Sequence, residues 1–193
     1  MNTIKKLITM RLCSMMNTCM FAGLRTATAS AAYFPAVGIL YTLTNKQSNR
    51  MLNVQGSSSW SGANVTIYDE DGTTGELFKF IPHGSKYFNG KSYTKYVIEP
   101  QCAKTCALNV YGSYSASGFN VNIWTKSGND TQDWILDPTY GGGYIIRSAN
   151  NPSCVLTESG IYNMSNVKLT TETLYNKDPF VWYPIHRSCY PAY

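Results

Sequence analysis

A threefold internal repeat constrains this 193-residue chain more than any other feature. Leu52-Asn-Val-Gln-Gly56 recurs as Leu108-Asn-Val-Tyr-Gly112, 56 positions further on. Thirteen residues after each Leu stands a valine that opens a second run, Val65-Thr-Ile-Tyr68 and Val121-Asn-Ile-Trp124, each preceded by an Asn. Asn166-Val-Lys-Leu-Thr170 supplies a third copy, and thirteen residues back from Val167 the Leu position falls on Cys154. Thirteen residues beyond the three valines lie Phe78, Trp134 and Phe180, each beginning an aromatic-x-apolar-x-Pro pattern that ends at Pro82, Pro138 or Pro184. A Tyr-led run precedes each copy: Tyr41-Thr-Leu43, Tyr96-Val-Ile98 and Tyr144-Ile-Ile146.

Each landmark is a short run with apolar residues at i and i+2, the period of a half-buried strand. Gly, Ser, Asn and Asp separate the runs, as turns require. No 3.6-residue period is sustained beyond the first 32 residues. One such unit cannot bury its apolar face alone, so the copies must share a core. The pattern predicts an all-β fold over residues 41–187, built from three four-stranded repeats with pseudo-threefold symmetry. Successive copies are spaced by 56 and then 46 residues. The extra ten fall between Pro82 and Leu108, read as a polar, Tyr-rich loop from His83 to Tyr93 and the turn around Cys102 and Cys106.

Aromatics make up 13% of the chain and charged residues 14%, the reverse of a disordered composition. The net charge of +5 is concentrated in residues 1–32, which hold Lys5, Lys6, Arg11 and Arg25 and no acid. The rest carries 12 bases against 11 acids, a net of +1, and lacks the basic stripe of a nucleic-acid reader. Residues 1–32 have the layout of a secretory signal, with basic residues, an apolar stretch from Leu12 to Leu24 and small residues from Ala27 to Ala32, although an acid-free leader with Arg, Ser and Thr also suits an organelle transit peptide. Residues 33–40 are then a short N-terminal segment and 188–193 a tail. No other stretch approaches the ~18 apolar residues of a membrane helix, so no membrane span is expected. Export suits the cysteines. Cys13 and Cys19 fall in the leader, leaving Cys102, Cys106, Cys154 and Cys189, an even number suited to two disulfides. Four cysteines allow three connectivities. Cys102 and Cys106 are near enough to close a small loop, which leaves Cys154 with Cys189. Equally, Cys154 reads as a buried apolar residue.

These residues resemble the ricin B-chain lectin domains, whose hallmark is a Gln-x-Trp near the end of each repeat. That motif stands intact as Gln132-Asp133-Trp134 and in degenerate form as Glu76-Leu77-Phe78 and Asp178-Pro179-Phe180. The resemblance covers roughly residues 40–187 and implies a β-trefoil that binds carbohydrate. It also implies a shallow sugar pocket in each repeat, made of a polar anchor early in the motif, an aromatic platform after the second strand and a polar pair at the Gln-x-Trp. Carried over, the second repeat offers Asn109, Trp124, Thr131 and Gln132, with Asp130 as a further acceptor. The first offers Asn53, Tyr68, Gly75 and Glu76. The third has Val155, Thr170, Lys177 and Asp178, neither anchor nor platform. The second repeat is therefore the expected site, Trp124 stacking on the sugar ring and Asn109 and Gln132 bonding its hydroxyls. Asn109 stands where the family has an Asp, which weakens hydrogen bonds to hydroxyls. Trp60, in a Ser-rich loop, is a second candidate platform.

Enzyme signals are sparse. His83 and His186 lack neighbours at metal-ligand spacing, and no nucleophile-elbow, zinc or phosphate-loop motif occurs. No cofactor, metal or catalysis is expected. The expected partners are glycans or glycoconjugates, and a separate toxin or assembly subunit. A different reading is a trefoil that has lost its sugar sites and acts through protein contacts, as an assembly subunit or inhibitor.

Overall fold

A computed structural model describes residues 35, 36 and 38–186. The expected leader, the tail and Cys189 lie outside the described residues. Twelve strands follow one another, four to a repeat. The first repeat holds β1 (Leu40–Asn45), β2 (Met51–Val54), β3 (Val65–Tyr68) and β4 (Phe78–Phe88). The second holds β5 (Lys91–Pro100), β6 (Cys106–Val110), β7 (Val121–Thr125) and β8 (Asp133–Pro138). The third holds β9 (Tyr144–Ser148), β10 (Cys154–Glu158), β11 (Val167–Thr171) and β12 (Val181–His186).

The first and last strands of each repeat close a six-stranded antiparallel barrel. β1 pairs with β4, β4 with β5, β5 with β8, β8 with β9, β9 with β12, and β12 returns to β1. Closure leaves none of these six strands as an open edge. The middle strands form three hairpins, β2–β3, β6–β7 and β10–β11. These touch one another in a ring through single bridges, Asn64 with Asn122, Thr66 with Asn166 and Asn120 with Lys168. Asparagine amides reinforce that ring: Asn64 donates to Asn166 at 2.8 Å and Asn120 to Asn64 at 2.9 Å. This is the β-trefoil that the repeat predicts.

The core is built in threes. Tyr41, Tyr96 and Tyr144 are buried together with Phe78, Trp134 and Trp182, and with Leu52, Leu108 and Leu156. The two tryptophans anchor identically: Trp134 donates its indole N–H to Leu108 O at 2.9 Å and Trp182 to Leu156 O at 3.1 Å, each 26 residues back. A buried indole needs such a partner. This pairing corrects the third repeat's register. Leu156, not Cys154, takes the Leu position, and Phe180-Val181-Trp182, not Asp178-Pro179-Phe180, stands for Gln-x-Trp. The 3-10 turns agree, since Thr74–Glu76, Asp130–Gln132 and Asp178–Phe180 each end two residues before the anchoring aromatic. The shift arises because the β10–β11 hairpin is two residues shorter: Leu156 faces Leu169, whereas Leu52 faces Ile67 and Leu108 faces Ile123.

Two further expectations are revised. Residues 83–93 are not a loop. β4 and β5 continue past the barrel as a hairpin to Phe88 and Lys91, with an irregularity between Pro82 and Ser85. Its tip is Asn89-Gly90, both at positive φ (49° and 77°), which the right-handed strand twist favours in a two-residue turn. His83 and Lys95 hold the hairpin down on buried Asp133, at 2.7 and 2.6 Å. Cys102 and Cys106 do not form a bridge and both are thiols, as is Cys154. Cys106 begins a strand and turns into the core, while Cys102 lies in the preceding turn and points its Sγ at Ser58 O, 3.6 Å away. Cys154 is buried as an apolar residue.

Candidate functional site

The second repeat does not bring its expected residues to one open pocket. Asn109 is buried and bonded on every side: its amide donates to Asn122 Oδ1 and Val110 O, each at 2.9 Å, and its carbonyl accepts from Thr131 Oγ1 at 3.2 Å. Gln132 is equally occupied. Its Oε1 accepts from the Ser127 N–H at 2.9 Å, and its Nε2 donates to Thr125 O at 2.9 Å. It clamps the loop that precedes it. Trp124 is 46% exposed, but its ring lies against Gly62, where a Cβ would stand 3.3 Å from Cζ3. Asp130 is exposed and 3.7 Å from Lys95 Nζ. It lines an open depression of about 520 Å³ with Gly112, Ser113, Gly128, Asn129, Thr131 and Asn150, apart from Asn109 and Trp124.

The first repeat does bring its anchor and platform together. Asn53 and Tyr68 line one depression of about 230 Å³ with Gln55, Gly56, Thr66, Asp71 and Met164. That volume is below the ~300–1,000 Å³ of drug-sized sites and suits one small ring. Asn53 is 5% exposed, yet its carboxamide makes no hydrogen bond to the described residues. The contrast with Asn109 follows from two substitutions. Asn122, which accepts from Asn109, is replaced by Thr66 at the same cross-strand position opposite Asn53. Thr131, which donates to Asn109, is replaced by Gly75. A side chain there has no room, because a Cβ on Gly75 would approach Ser57 Oγ to 2.8 Å and Val54 O to 2.9 Å. The repeat pattern does not mark Gln55, Thr66, Asp71 or Met164 as site residues. The aligned repeats did carry a signal for this arrangement, Gly75 in place of Thr131.

Glu76 does not reach the depression. It is 1% exposed and plays the part of Gln132, accepting from the N–H groups of Asp71 at 2.9 Å and Gly72 at 3.2 Å. Burial, with the nearby Asp71 carboxylate adding to it, pushes its carboxyl up to about 7 despite those N–H donors. The turn it clamps carries Asp71 to the rim of the depression. In the third repeat Thr157 takes the anchor position, Thr170 the platform and buried Phe180 the Gln position, so no comparable site forms. Trp60 is 80% exposed on the loop whose Gly62 covers Trp124. Among the described residues no group of three or more His, Cys, Asp and Glu could hold a metal ion, and no helix is long and apolar enough to cross a membrane.

Residues 87–170 match the family model described as ricin-type beta-trefoil lectin domain-like. The chain has the β-trefoil fold, and its residues 87–170 resemble the ricin-type domains. Solved structures carry the same fold. A designed threefold-symmetric protein, ThreeFoil, superposes with a TM-score of 0.65 at 22% identity, over 76% of this chain and 97% of that one. The Macrolepiota procera ricin B-like lectin in complex with lactose gives 0.59 at 15% identity, over 79% and 98%. An exo-β-1,3-galactanase from Clostridium thermocellum gives 0.67 at 18% identity, over 80% of this chain but 31% of the galactanase chain. No curated protein matches the sequence. At these identities the structural likeness establishes the trefoil, and what the site does must be argued from its residues.

Proposed function

We propose that this trefoil is a non-catalytic carbohydrate-binding module of the ricin type whose working site is the first-repeat depression. One observation carries the reading: Asn53 is buried beneath an open depression with a free carboxamide, and Tyr68 stands beside it. The amide atoms are not sealed from solvent, so water bonds them in the free protein, and a ligand that displaces that water must reproduce its hydrogen bonds. A sugar fits that demand. Its hydroxyls pair with a group that both donates and accepts, and its apolar face stacks on an aromatic ring. Gln55, Thr66 and Asp71 add polar groups on the lining. With Asn109 closed and Thr157 in the third copy, binding is monovalent and therefore weak, and it gains strength where several copies are displayed together.

Secretion, and service as the cell-binding subunit of a toxin or as an adhesin, complete the proposal. The acid-free leader supports export, and the lectin-like fold supports a binding role. A second reading, action through protein contacts, is favoured by Trp60, Leu174 and Tyr175, which are largely exposed. A glycan array with the purified mature chain separates the two. The proposal expects binding that Asn53→Ala and Tyr68→Ala abolish and Trp124→Ala leaves intact. An array with no binder, or binding lost with Trp124→Ala alone, overturns it.

A further inference from the structure

The three hairpin loops dock onto the next repeat by one device, and one copy departs from it. The N–H of Gly62 donates to Ile123 O at 2.7 Å, that of Gly118 to Leu169 O at 2.9 Å, and that of Met164 to Ile67 O at 2.9 Å. All three residues lie in the left-handed region, at φ 94°, 91° and 65°. Two are glycines, which adopt it freely. Met164 has a Cβ that disfavours it, and a long side chain is uncommon there. The position is held firmly. Ile67 N–H returns a bond to Ser165 O at 2.9 Å, and Asn163 exchanges two bonds with Asp69, at 2.8 and 2.7 Å. Strain kept in place by its surroundings points to a use.

The use is visible in what Met164 touches. Gly62 gives way to the large Trp124 ring, whereas the smaller Tyr68 leaves room, and Met164 lines the Asn53 depression beside it while remaining 54% exposed. We infer that Met164, delivered by the third repeat, is a specificity-determining residue of the first-repeat site, an apolar wall that selects sugars carrying a methyl-terminated substituent. The inference rests on the proposed sugar-binding reading. An acetamido group and a 6-deoxy carbon both present such a methyl, and a thioether side chain is flexible and polarizable enough to pack on either.

The test is calorimetric titration of the full mature chain with galactose, N-acetylgalactosamine, D-fucose, glucose and N-acetylglucosamine. The wild type is expected to favour a methyl-bearing sugar over its unsubstituted counterpart by about fourfold, the value of one buried methyl. The N-acetyl pairs and the 6-deoxy pair separate the two sources of that methyl. Met164→Gly, the residue of the other two repeats, should bring the ratio to about one and leave the melting temperature unchanged or higher. Met164→Gln, of similar length but polar, should also lose the preference. A wild type that binds sugars without preference, or a Met164→Gly chain that keeps it, overturns the inference while leaving the sugar-binding reading standing. A wild type that binds none of the sugars overturns both.

Discussion

Replacing Glu76 with Gln tests how the first-repeat turn is held. The buried carboxyl titrates at about 7 in the folded chain, against an ordinary 4.5. Between those values the folded state binds more protons than the unfolded state, so stability is full below about pH 4.5 and falls as pH rises through 7. At 1.36 kcal/mol per pH unit the difference amounts to roughly 3 kcal/mol as a ceiling. That value is already net of the Asp71 and Gly72 N–H groups, which lower it, and Gln gives up its charge-assisted bonds from them, so roughly 1–3 kcal/mol is expected in practice. Gln removes the charge and can copy Gln132, whose Nε2 bonds Thr125 O while Oε1 takes the Ser127 N–H. The backbone is ready for it, since Gly72 and Gly128 share φ 72°. Glu76→Gln should therefore raise the melting temperature at pH 8 by about 2–12 °C, at ~2–4 °C per kcal/mol for a chain of this size. Near pH 4.5 the two proteins should converge. Thermal melts from pH 4.5 to 8.5 decide it. A wild type with flat stability across that range, or a variant destabilised at pH 8, would refute the argument.

Other expectations follow from the comparison of repeats. Glu158 is buried at the layer that Val54 and Val110 fill in the first two copies, and burial pushes its carboxyl above the ordinary range. Glu158→Val should stabilise the fold by ~1–3 kcal/mol in urea melts at neutral pH. Asn122→Thr with Thr131→Gly should free Asn109 and add a second sugar site, read as calorimetric stoichiometry rising from one toward two. Mass spectrometry of the native protein should show a chain beginning near Ala31 to Tyr33, and an intact Met1 would count against export.

The fold was legible because its period is covalent: strands two residues in period, spaced alike three times, can share only a threefold core. The third register was misread by two residues because Pro82, Pro138 and Pro184 align by coincidence, while the shortened β10–β11 hairpin hides the offset. The spacing of 26 from Leu52 to Phe78, Leu108 to Trp134 and Leu156 to Trp182 carried the correct answer in the sequence. The site was less legible. Asn109 and Asn53 look equivalent along the chain, and Trp124 and Gln132 recommend the second repeat. What distinguishes the anchors is whether Asn122 and Thr131, from other segments, consume the amide. That depends on packing between strands and turns, which residue type alone does not report. Met164 reaches the depression from a repeat about a hundred residues away, beyond any local pattern.

The central claim is that a sugar is held at Asn53. The most direct measurement is an NMR titration following the side-chain amide resonances of Asn53 and Asn109 as a glycan from the array is added. The account predicts that the Asn53 amide and Tyr68 ring signals shift with a common saturation while Asn109 stays still. Movement at Asn109 and the Trp124 indole, with Asn53 unmoved, would contradict it.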